Sequence, residues 1–243
     1  MKAIILAAGE GTRLRPLTLN CPKPMLPIGD KPLLEHTINW LKRYGFAQIA
    51  INLHHRPETI TGYFGDGRRW GMEITYSYEE NLLGTAGAVR KLQGFFDETF
   101  PVVYGDVLTD LPLDALLHFH QSRKPGNPYG YMTMALYHVP NPTEVGLVGL
   151  DEGGRVISFK EKPRPEEVFT DLANSGILIL EPEIIECIPE NTFYDFGLHL
   201  LPKLLEIGTP IYGWPIPTST YLIDIGTKEK YERAQREWPL LST

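Results

Sequence analysis

Two cysteines, Cys21 and Cys187, are all that the 243 residues contain. That is too few for a disulfide framework, so a reducing, cytoplasmic setting is expected. Long hydrophobic runs are missing too. The apolar opening over 2–8 is too short for a signal peptide, and no stretch approaches the length of a membrane span. Positive charge is in deficit: 23 Lys and Arg stand against 30 Asp and Glu, a net charge of −7. That balance argues against a dedicated nucleic-acid binder, although it leaves room for a local basic pocket that takes phosphates. Neither nucleic acid nor membrane is therefore expected as a partner. Repeats, low-complexity tracts and interdomain linkers are also absent. The best internal loop, Pro125-Gly126-Asn127-Pro128, is read as joining parts of a single domain spanning 1–243. What remains is an ordinary globular composition, 42% hydrophobic and 22% charged.

The first half alternates strand-like and helix-like patterns. Apolar runs at 2–7, 48–53, 73–78 and 101–104 are separated by amphipathic stretches at 33–44, 57–64 and 85–96. Such alternation predicts an α/β fold with a mainly parallel central sheet flanked by helices. Ligands on sheets of this kind bind beyond the carboxyl ends of the strands. Gly9, Glu79 and Asp106 each follow a predicted strand, so they are expected to converge on one edge. The second half reads as strands at 130–138, 145–150, 156–160 and 176–180, with a hairpin turn at Asp151-Glu152-Gly153-Gly154. This predicts a β-rich layer over the first half. A helix at 196–207, opened by Tyr194-Asp195-Phe196, strands at 211–216 and 221–225, and a helix from 228 to about 238 complete the pattern.

The most informative segment is Leu6-Ala7-Ala8-Gly9-Glu10-Gly11-Thr12-Arg13-Leu14-Arg15-Pro16, with Pro22-Lys23-Pro24 close behind. A strand feeding a glycine-containing loop lets backbone N–H groups close on anionic oxygens. Arg13 and Lys23 add cations able to neutralise a polyphosphate. The segment lacks the Gly-Lys-Ser/Thr ending of a P-loop, and Leu14 stands where a dinucleotide fingerprint needs its third glycine. A nucleotide site of another kind is implied.

This segment, with Pro22-Lys23-Pro24-Met25-Leu26-Pro27 and four later motifs in register, resembles the sugar-1-phosphate nucleotidyltransferases over nearly the whole chain. Within it, Gly84-Thr85-Ala86-Gly87 looks most like the mannose-1-phosphate guanylyltransferases. The resemblance implies a Rossmann-like nucleotidyltransferase core with a β-rich sugar-binding layer; some members also carry a C-terminal β-helix domain, for which these 243 residues are expected to be too short. It implies attack by a sugar-1-phosphate oxygen on the α-phosphorus of a nucleoside triphosphate, with pyrophosphate leaving. The nucleophile is already an anion, so catalysis should rest on positioning and charge neutralisation. Arg13 and Lys23 are then the catalytic cations. Leu6, Ala8, Gly9, Gly11, Thr12, Arg13, Lys23, Glu79, Gly84 and Thr85 line the nucleotide, and Gly146, Glu161, Lys162 and Asn174 the sugar phosphate. Asp106 and Asp224 are the carboxylates for Mg²⁺, which prefers oxygen ligands and keeps waters. Read without the resemblance, each aspartate caps the element that follows it, Lys160-Glu161-Lys162 is a solvated charge run, and Gly146 and Gly176 are bulges or tight turns.

Base choice turns on Glu79, five residues before Gly84, where the resemblance puts glutamine in pyrimidine-using relatives, with Glu80 next to it as the rival carboxylate. An ionised carboxylate only accepts hydrogen bonds. Guanine offers it two adjacent donors, whereas uracil and thymine flank one N–H with carbonyls, a difference of about 1–3 kcal/mol in a dry site. GTP with mannose-1-phosphate is therefore the favoured pair, with UTP or dTTP and glucose-1-phosphate as the alternative. A non-catalytic, sugar-nucleotide-binding homologue is the third reading, against which the joint presence of cations and carboxylates speaks. Thr85 is expected to cap the helix at 85–96, Asp110 to serve as a turn or cap before Pro112, and Cys21 to pack. His54 and His55 are expected as a strand-end pair rather than metal ligands. A homodimer is the commonest prior for a soluble enzyme.

Overall fold

The computed structural model describes residues 1–124, 126 and 130–241, with side chains described as far as Trp238. Apart from Gly126, the loop read at 125–128 lies outside the described residues. Strands and helices follow in the order β1 (Lys2–Leu6), β2 (Pro27–Ile28), β3 (Lys31–Pro32), α1 (Leu33–Arg43), β4 (Gln48–Leu53), α2 (Pro57–Phe64) and β5 (Glu73–Tyr78). Then come α3 (Gly84–Lys91), β6 (Phe100–Tyr104), β7 (Val107–Thr109), α4 (Leu113–Ser122), β8 (Met132–His138), β9 (Gly146–Leu150), β10 (Val156–Glu161) and β11 (Leu172–Leu180). The chain closes with α5 (Leu201–Glu206), β12 (Ile211–Pro215), β13 (Leu222–Asp224) and α6 (Lys228–Leu241). The fold is mixed α/β, with a large, mainly parallel central sheet flanked by helices, as the alternation predicted. No helix among the described residues is long and apolar enough to cross a membrane.

The chain divides into two units. The first comprises Met1–Leu82, Val103–Leu111 and Thr220–Thr243; the second comprises Leu83–Val102 and Pro112–Ser219.

In the first unit β1, β4 and β5 lie side by side in parallel, with Ile4 opposite Ala50 and Ala50 opposite Thr75. The interiors of β1 and β4 are buried, which is why they read as largely apolar runs, with Asn52 the polar exception in β4. Parallel neighbours need crossovers, and α1 and α2 supply them. The ends of β1 and β6 meet where the Gly105 N–H donates to the Leu6 carbonyl at 2.9 Å. Immediately beyond, β7 pairs antiparallel with β13, placing Asp224 opposite Val107. Leu14, Leu26, Ile28, Leu33, Leu108, Ile223, Ile225 and Ala234 form a buried cluster beneath these loops, with Cys21 partly buried against it. Each leucine and isoleucine side chain there contributes about 1.5–3 kcal/mol, and Cys21 is a packing residue, as expected.

In the second unit β9 and β10 form the antiparallel hairpin read at 151–154. Asp151 Oδ1 accepts from the Gly153 and Arg155 N–H groups at 2.9 and 2.8 Å. The strand β11 pairs antiparallel with both β8 and β9, and β12 runs parallel to β8. Two expected helices differ in detail. The one read at 85–96 ends at Lys91 and continues only as a 3-10 turn over Gln93–Phe95. The one read at 196–207 begins as a π-turn over Phe196–Leu200 before α5. Pro202 has no N–H, so the ordinary i→i−4 bond to the Leu198 carbonyl cannot form there. The Leu201 N–H instead reaches back five residues to the Phe196 carbonyl.

Candidate active site

The first unit brings together Arg13, Lys23, Asp106 and Asp224. Lys23 Nζ donates to Asp106 Oδ2 at 2.6 Å, with side-chain exposures of 14% and 21%. The Ile225 N–H donates to the Asp106 carbonyl at 2.9 Å, so the two aspartates end adjoining segments. Asp224 accepts from the Gly226 N–H at 3.1 Å and from the Lys230 ammonium. Arg13 lies over Gly226, where a Cβ would stand 3.0 Å from its guanidinium nitrogen. Burial alone would raise the Asp106 pKa. The Lys23 charge and hydrogen bond, a local backbone bond and the Arg13 charge outweigh it and hold the carboxyl below its ordinary range. Neither aspartate acts as the cap of a following helix. Thr227 caps α6 instead, its Oγ1 accepting from the Lys230 N–H at 3.3 Å.

Around this cluster the loop after β1 is braced by its own backbone and by one histidine. Gly11 sits at φ 63°, and a Cβ there would press on Thr18 and Lys23. Thr18 Oγ1 donates to the Gly11 carbonyl at 2.7 Å, and His55 Nε2 donates to the Thr18 carbonyl at 3.0 Å. Thr12 opens the 3-10 turn Thr12–Leu14 that aims Arg13, and Leu14 anchors it in the core. Leu6 offers its carbonyl to Gly105, and Ala8 is buried. Gly9 stands clear, with no atom within 4 Å of a would-be Cβ. Its place is thus left for something other than the protein's own packing.

Glu79 is 1% exposed. Its Oε1 accepts from Asn52 Nδ2 at 2.8 Å, while Asn52 Oδ1 accepts from the Ala7 N–H at 2.7 Å. The backbone donor thus fixes which way Asn52 points, and Asn52 in turn fixes Glu79. His54 Nδ1 donates to the Glu79 carbonyl at 2.8 Å. The two histidines point apart, one to Glu79 and the other to the loop, as a strand-end pair should.

Among the described residues, no group of three or more His, Cys, Asp or Glu assembles as a metal site. A pair of carboxylates is nevertheless the right donor set for magnesium, which takes one or two carboxylates beside substrate phosphates and retains waters. Each of the two carboxylates already carries a lysine.

The second unit holds the remaining predicted residues. Glu161 ends β10 opposite Gly146, and its carboxylate crosses over that glycine, where a Cβ would lie 2.6 Å from Oε2. Ala173 pairs with Leu147, which puts Asn174 in register beside Gly146. Glu161, Gly146 and Asn174 therefore form a row across three strands. Lys162 leaves the strand at φ 45°, so the turn needed to bring Glu161 and Lys162 to one ligand falls at Lys162 itself, just before Pro163. Burial raises the Glu161 pKa, Lys162 opposes the rise and Asp195 adds to it. Asn174 Oδ1 is engaged by the Gly176 N–H at 3.0 Å, which leaves its amide donors for a ligand. Gly176, at φ 79°, forms the bulge where the β8–β11 register shifts.

Two expectations are corrected. Thr85 does not cap α3, whose N-cap is Leu83. Gly84 enters the helix at φ 75°, where a Cβ would lie 2.6 Å from the Tyr194 carbonyl oxygen, and the next residue, Thr85, donates its hydroxyl to Asp195 Oδ2 at 2.8 Å. Asp110 is no cap either: its Oδ1 accepts from the Tyr221 N–H at 2.7 Å and ties the ends of β7 and β13 together. Sequence reasoning missed Asn52, Lys230 and the wider role of Asp195. A polar residue inside an apolar strand was a usable signal for Asn52; Lys230 offered none.

The nucleotidyl transferase family model matches residues 2–239. The chain belongs to the sugar-1-phosphate nucleotidyltransferase family. It is 40% identical over 250 residues to a UTP–glucose-1-phosphate uridylyltransferase of Synechocystis sp., covering 97% of this chain and 63% of that protein. It is 35% identical over 237 residues to a mannose-1-phosphate guanylyltransferase of Mycobacterium tuberculosis, covering 97% and 64%. The chain thus spans just under two thirds of the length of these curated relatives. The crystal structure of HddC from Yersinia pseudotuberculosis complexed with GMP-PN superposes with a TM-score of 0.80 at 27% identity, covering 98% of this chain and 99% of that one.

Proposed function

We propose that the chain transfers a nucleotidyl group from a nucleoside triphosphate to a sugar-1-phosphate and releases pyrophosphate. The observation that carries this reading is the ion pair of Lys23 with Asp106, flanked by Asp224 and Arg13 at the mouth of a glycine loop. Two polyanions must be brought together, and the first unit supplies what their charge demands. Arg13 neutralises the departing pyrophosphate, and Lys23 holds the α-phosphate region. The row of Glu161, Gly146 and Asn174 in the second unit offers acceptors and donors to ring hydroxyls, with Lys162 for the sugar phosphate. Asp106 and Asp224 would hold Mg²⁺. When bound, that ion supplies Lewis-acid polarisation of a phosphoryl oxygen.

We assign GTP and mannose-1-phosphate as the substrate pair. Glu79 is an acceptor held in a water-poor place, which suits the paired donors of guanine. The relative from M. tuberculosis and the GMP-PN complex of the Yersinia protein support the same base. The uridylyltransferase name of the Synechocystis relative favours a second reading, UTP or dTTP with glucose-1-phosphate. Pyrophosphate release is measured for each triphosphate against each sugar phosphate with magnesium present. GTP with mannose-1-phosphate should give the highest kcat/KM, and Glu79→Gln should cut the GTP-over-UTP ratio by about tenfold or more. No release with any pair would sink the transferase reading. An unchanged ratio in Glu79→Gln would sink the base assignment alone.

Lys230 gives a test of the metal assignment. Its ammonium sits on Asp224 and competes with any cation there. Lys230→Ala should lower the half-saturating Mn²⁺ concentration, read by electron paramagnetic resonance, by roughly two- to fivefold, in keeping with a partly exposed ion pair. Weaker Mn²⁺ binding in the variant would remove Asp224 as a ligand.

A further inference from the structure

Between β11 and α5, the segment 192–198 makes contacts that its helix-opening role does not require. Asp195 uses one carboxylate oxygen as a cap, Oδ1 accepting from the Gly197 and Leu198 N–H groups at 2.8 and 3.1 Å. The other oxygen, Oδ2, accepts from Thr85 Oγ1 at 2.8 Å, and Thr85 Oγ1 accepts from the Phe196 N–H at 2.9 Å. The Ala86 and Gly87 N–H groups donate to the Tyr194 carbonyl at 2.9 and 2.8 Å, and the Tyr194 N–H donates to the Leu83 carbonyl at 2.8 Å. The Gly84–Thr85 turn is thereby clamped to this segment from both sides. At the other end of the segment, Gly197 packs on Glu161, and a Cβ there would stand 2.7 Å from Oε2. The Glu161 carboxylate lies between the backbones of Gly146 and Gly197, and both glycines are needed to leave it space.

We propose that Asp195 is a positioning residue that couples the nucleotide-side turn at Gly84–Thr85 to the sugar-side carboxylate of Glu161. The proposal rests on the transferase reading above. The Asp195 carboxylate is bonded at once to the turn, through Thr85, and to the backbone that walls Glu161, through Gly197. Ordering of the turn by a nucleotide fixes Thr85, Thr85 fixes Asp195, and Asp195 fixes the wall against which Glu161 meets a sugar hydroxyl. By linkage the effect is reciprocal. The sugar phosphate should bind more tightly when nucleotide is present, and nucleotide more tightly when sugar phosphate is present, by the same factor.

The experiment measures sugar-1-phosphate binding by calorimetry, with and without a triphosphate whose α,β-bridge cannot be cleaved. The wild type is expected to show tightening of at least about fivefold. Asp195→Asn keeps a good helix cap but sets an N–H against the Thr85 hydroxyl. Thr85→Val removes the same link from the other end at almost constant shape. Both variants should bring the factor to between one and two; each ligand alone still binds in Asp195→Asn, while in Thr85→Val only the ratio is read, because Thr85 lines the nucleotide side. A residue that only held the fold together would weaken single-ligand binding and leave the ratio intact. Variants that retain the wild-type factor, or a wild type with no coupling at all, overturn the proposal. If the wild type neither binds these ligands nor releases pyrophosphate from any pair, the transferase reading falls and takes the coupling with it. Turnover by the wild type with unaltered coupling in both variants sinks the coupling alone.

Discussion

Asp106→Ala is expected to lower kcat/KM for nucleotidyl transfer by about a thousandfold or more. Removing a single preorganised group at a developing charge typically costs on the order of 10²–10³, and Asp106 carries two duties. It is the partner of Lys23 at 2.6 Å, and it is one of the two carboxylates assigned to Mg²⁺. Asp106→Asn preserves the shape but not the charge. It should fall nearly as far, whereas Lys23→Met should lose less because Arg13 remains nearby. Stability adds a second readout. The Asp106 pKa is lowered in the fold despite its burial, so its contribution is full above the unfolded value of about 3.9. That contribution is lost as pH falls through the lower folded value. In the asparagine variant Lys23 has no anionic partner, which costs roughly 1–3 kcal/mol at pH 7. The gap in Tm between variant and wild type should therefore close as the pH is taken toward 3. Unimpaired transfer in either variant would remove Asp106 from the site. A Tm gap that widens in acid would contradict the pairing.

The parts of the molecule legible in the sequence are those whose signal is local. The elements β4, β5 and α2 occur at the predicted bounds, because the buried strand β4 reads as a mostly apolar run, the part-exposed β5 as an alternating one rich in β-branched and aromatic residues, and the helix keeps its 3.6-residue period. Gly9, Glu79 and Asp106 were legible because each lies within three residues after the end of a strand, β1, β5 and β6 respectively. The pairing of β7 with β13 was not legible. It joins three-residue strands more than a hundred positions apart, and nothing in either strand names the other. The π-turn at 196–200 carried the right helical spacing, but its wider hydrogen-bond register depends on Pro202 and on the Asp195 cap acting together. Thr85 was read as a cap from its place before an apolar run. What decides its role is Gly84 lying against the Tyr194 backbone, a contact across more than a hundred residues. Lys230 illustrates the limit, since only the turn of α6 carries its ammonium back to Asp224.

Gly105 and Gly9 test whether glycine serves packing or ligand approach at the two ends of this site, and they should behave oppositely. The Gly105 N–H is 2.9 Å from the Leu6 carbonyl oxygen, and a Cβ on Gly105 would lie 2.7 Å from that same atom. The obstructing group is backbone at the end of β1, so no rotamer change relieves it. Either β1 or the Gly105–Asp106 segment must shift. Overpacking of this kind costs about 1–3 kcal/mol, or a Tm loss of roughly 3–10 °C for a chain of this size. Asp106 is the next residue, so Gly105→Ala should also cost about a hundredfold in kcat, the usual effect of an ångström-scale misplacement. Activity should be assayed well below the lowered Tm. At Gly9 a Cβ meets nothing within 4 Å and φ is not in the left-handed region. Gly9→Ala should therefore leave Tm unchanged and raise the KM for the triphosphate, because the added methyl occupies space the protein itself leaves open. Calorimetric melts and kinetics of the two variants decide the matter. If Gly9→Ala melts early with an unchanged KM, the loop is shaped for folding. If Gly105→Ala keeps its full kcat, the register between β1 and β6 does not hold Asp106 in place.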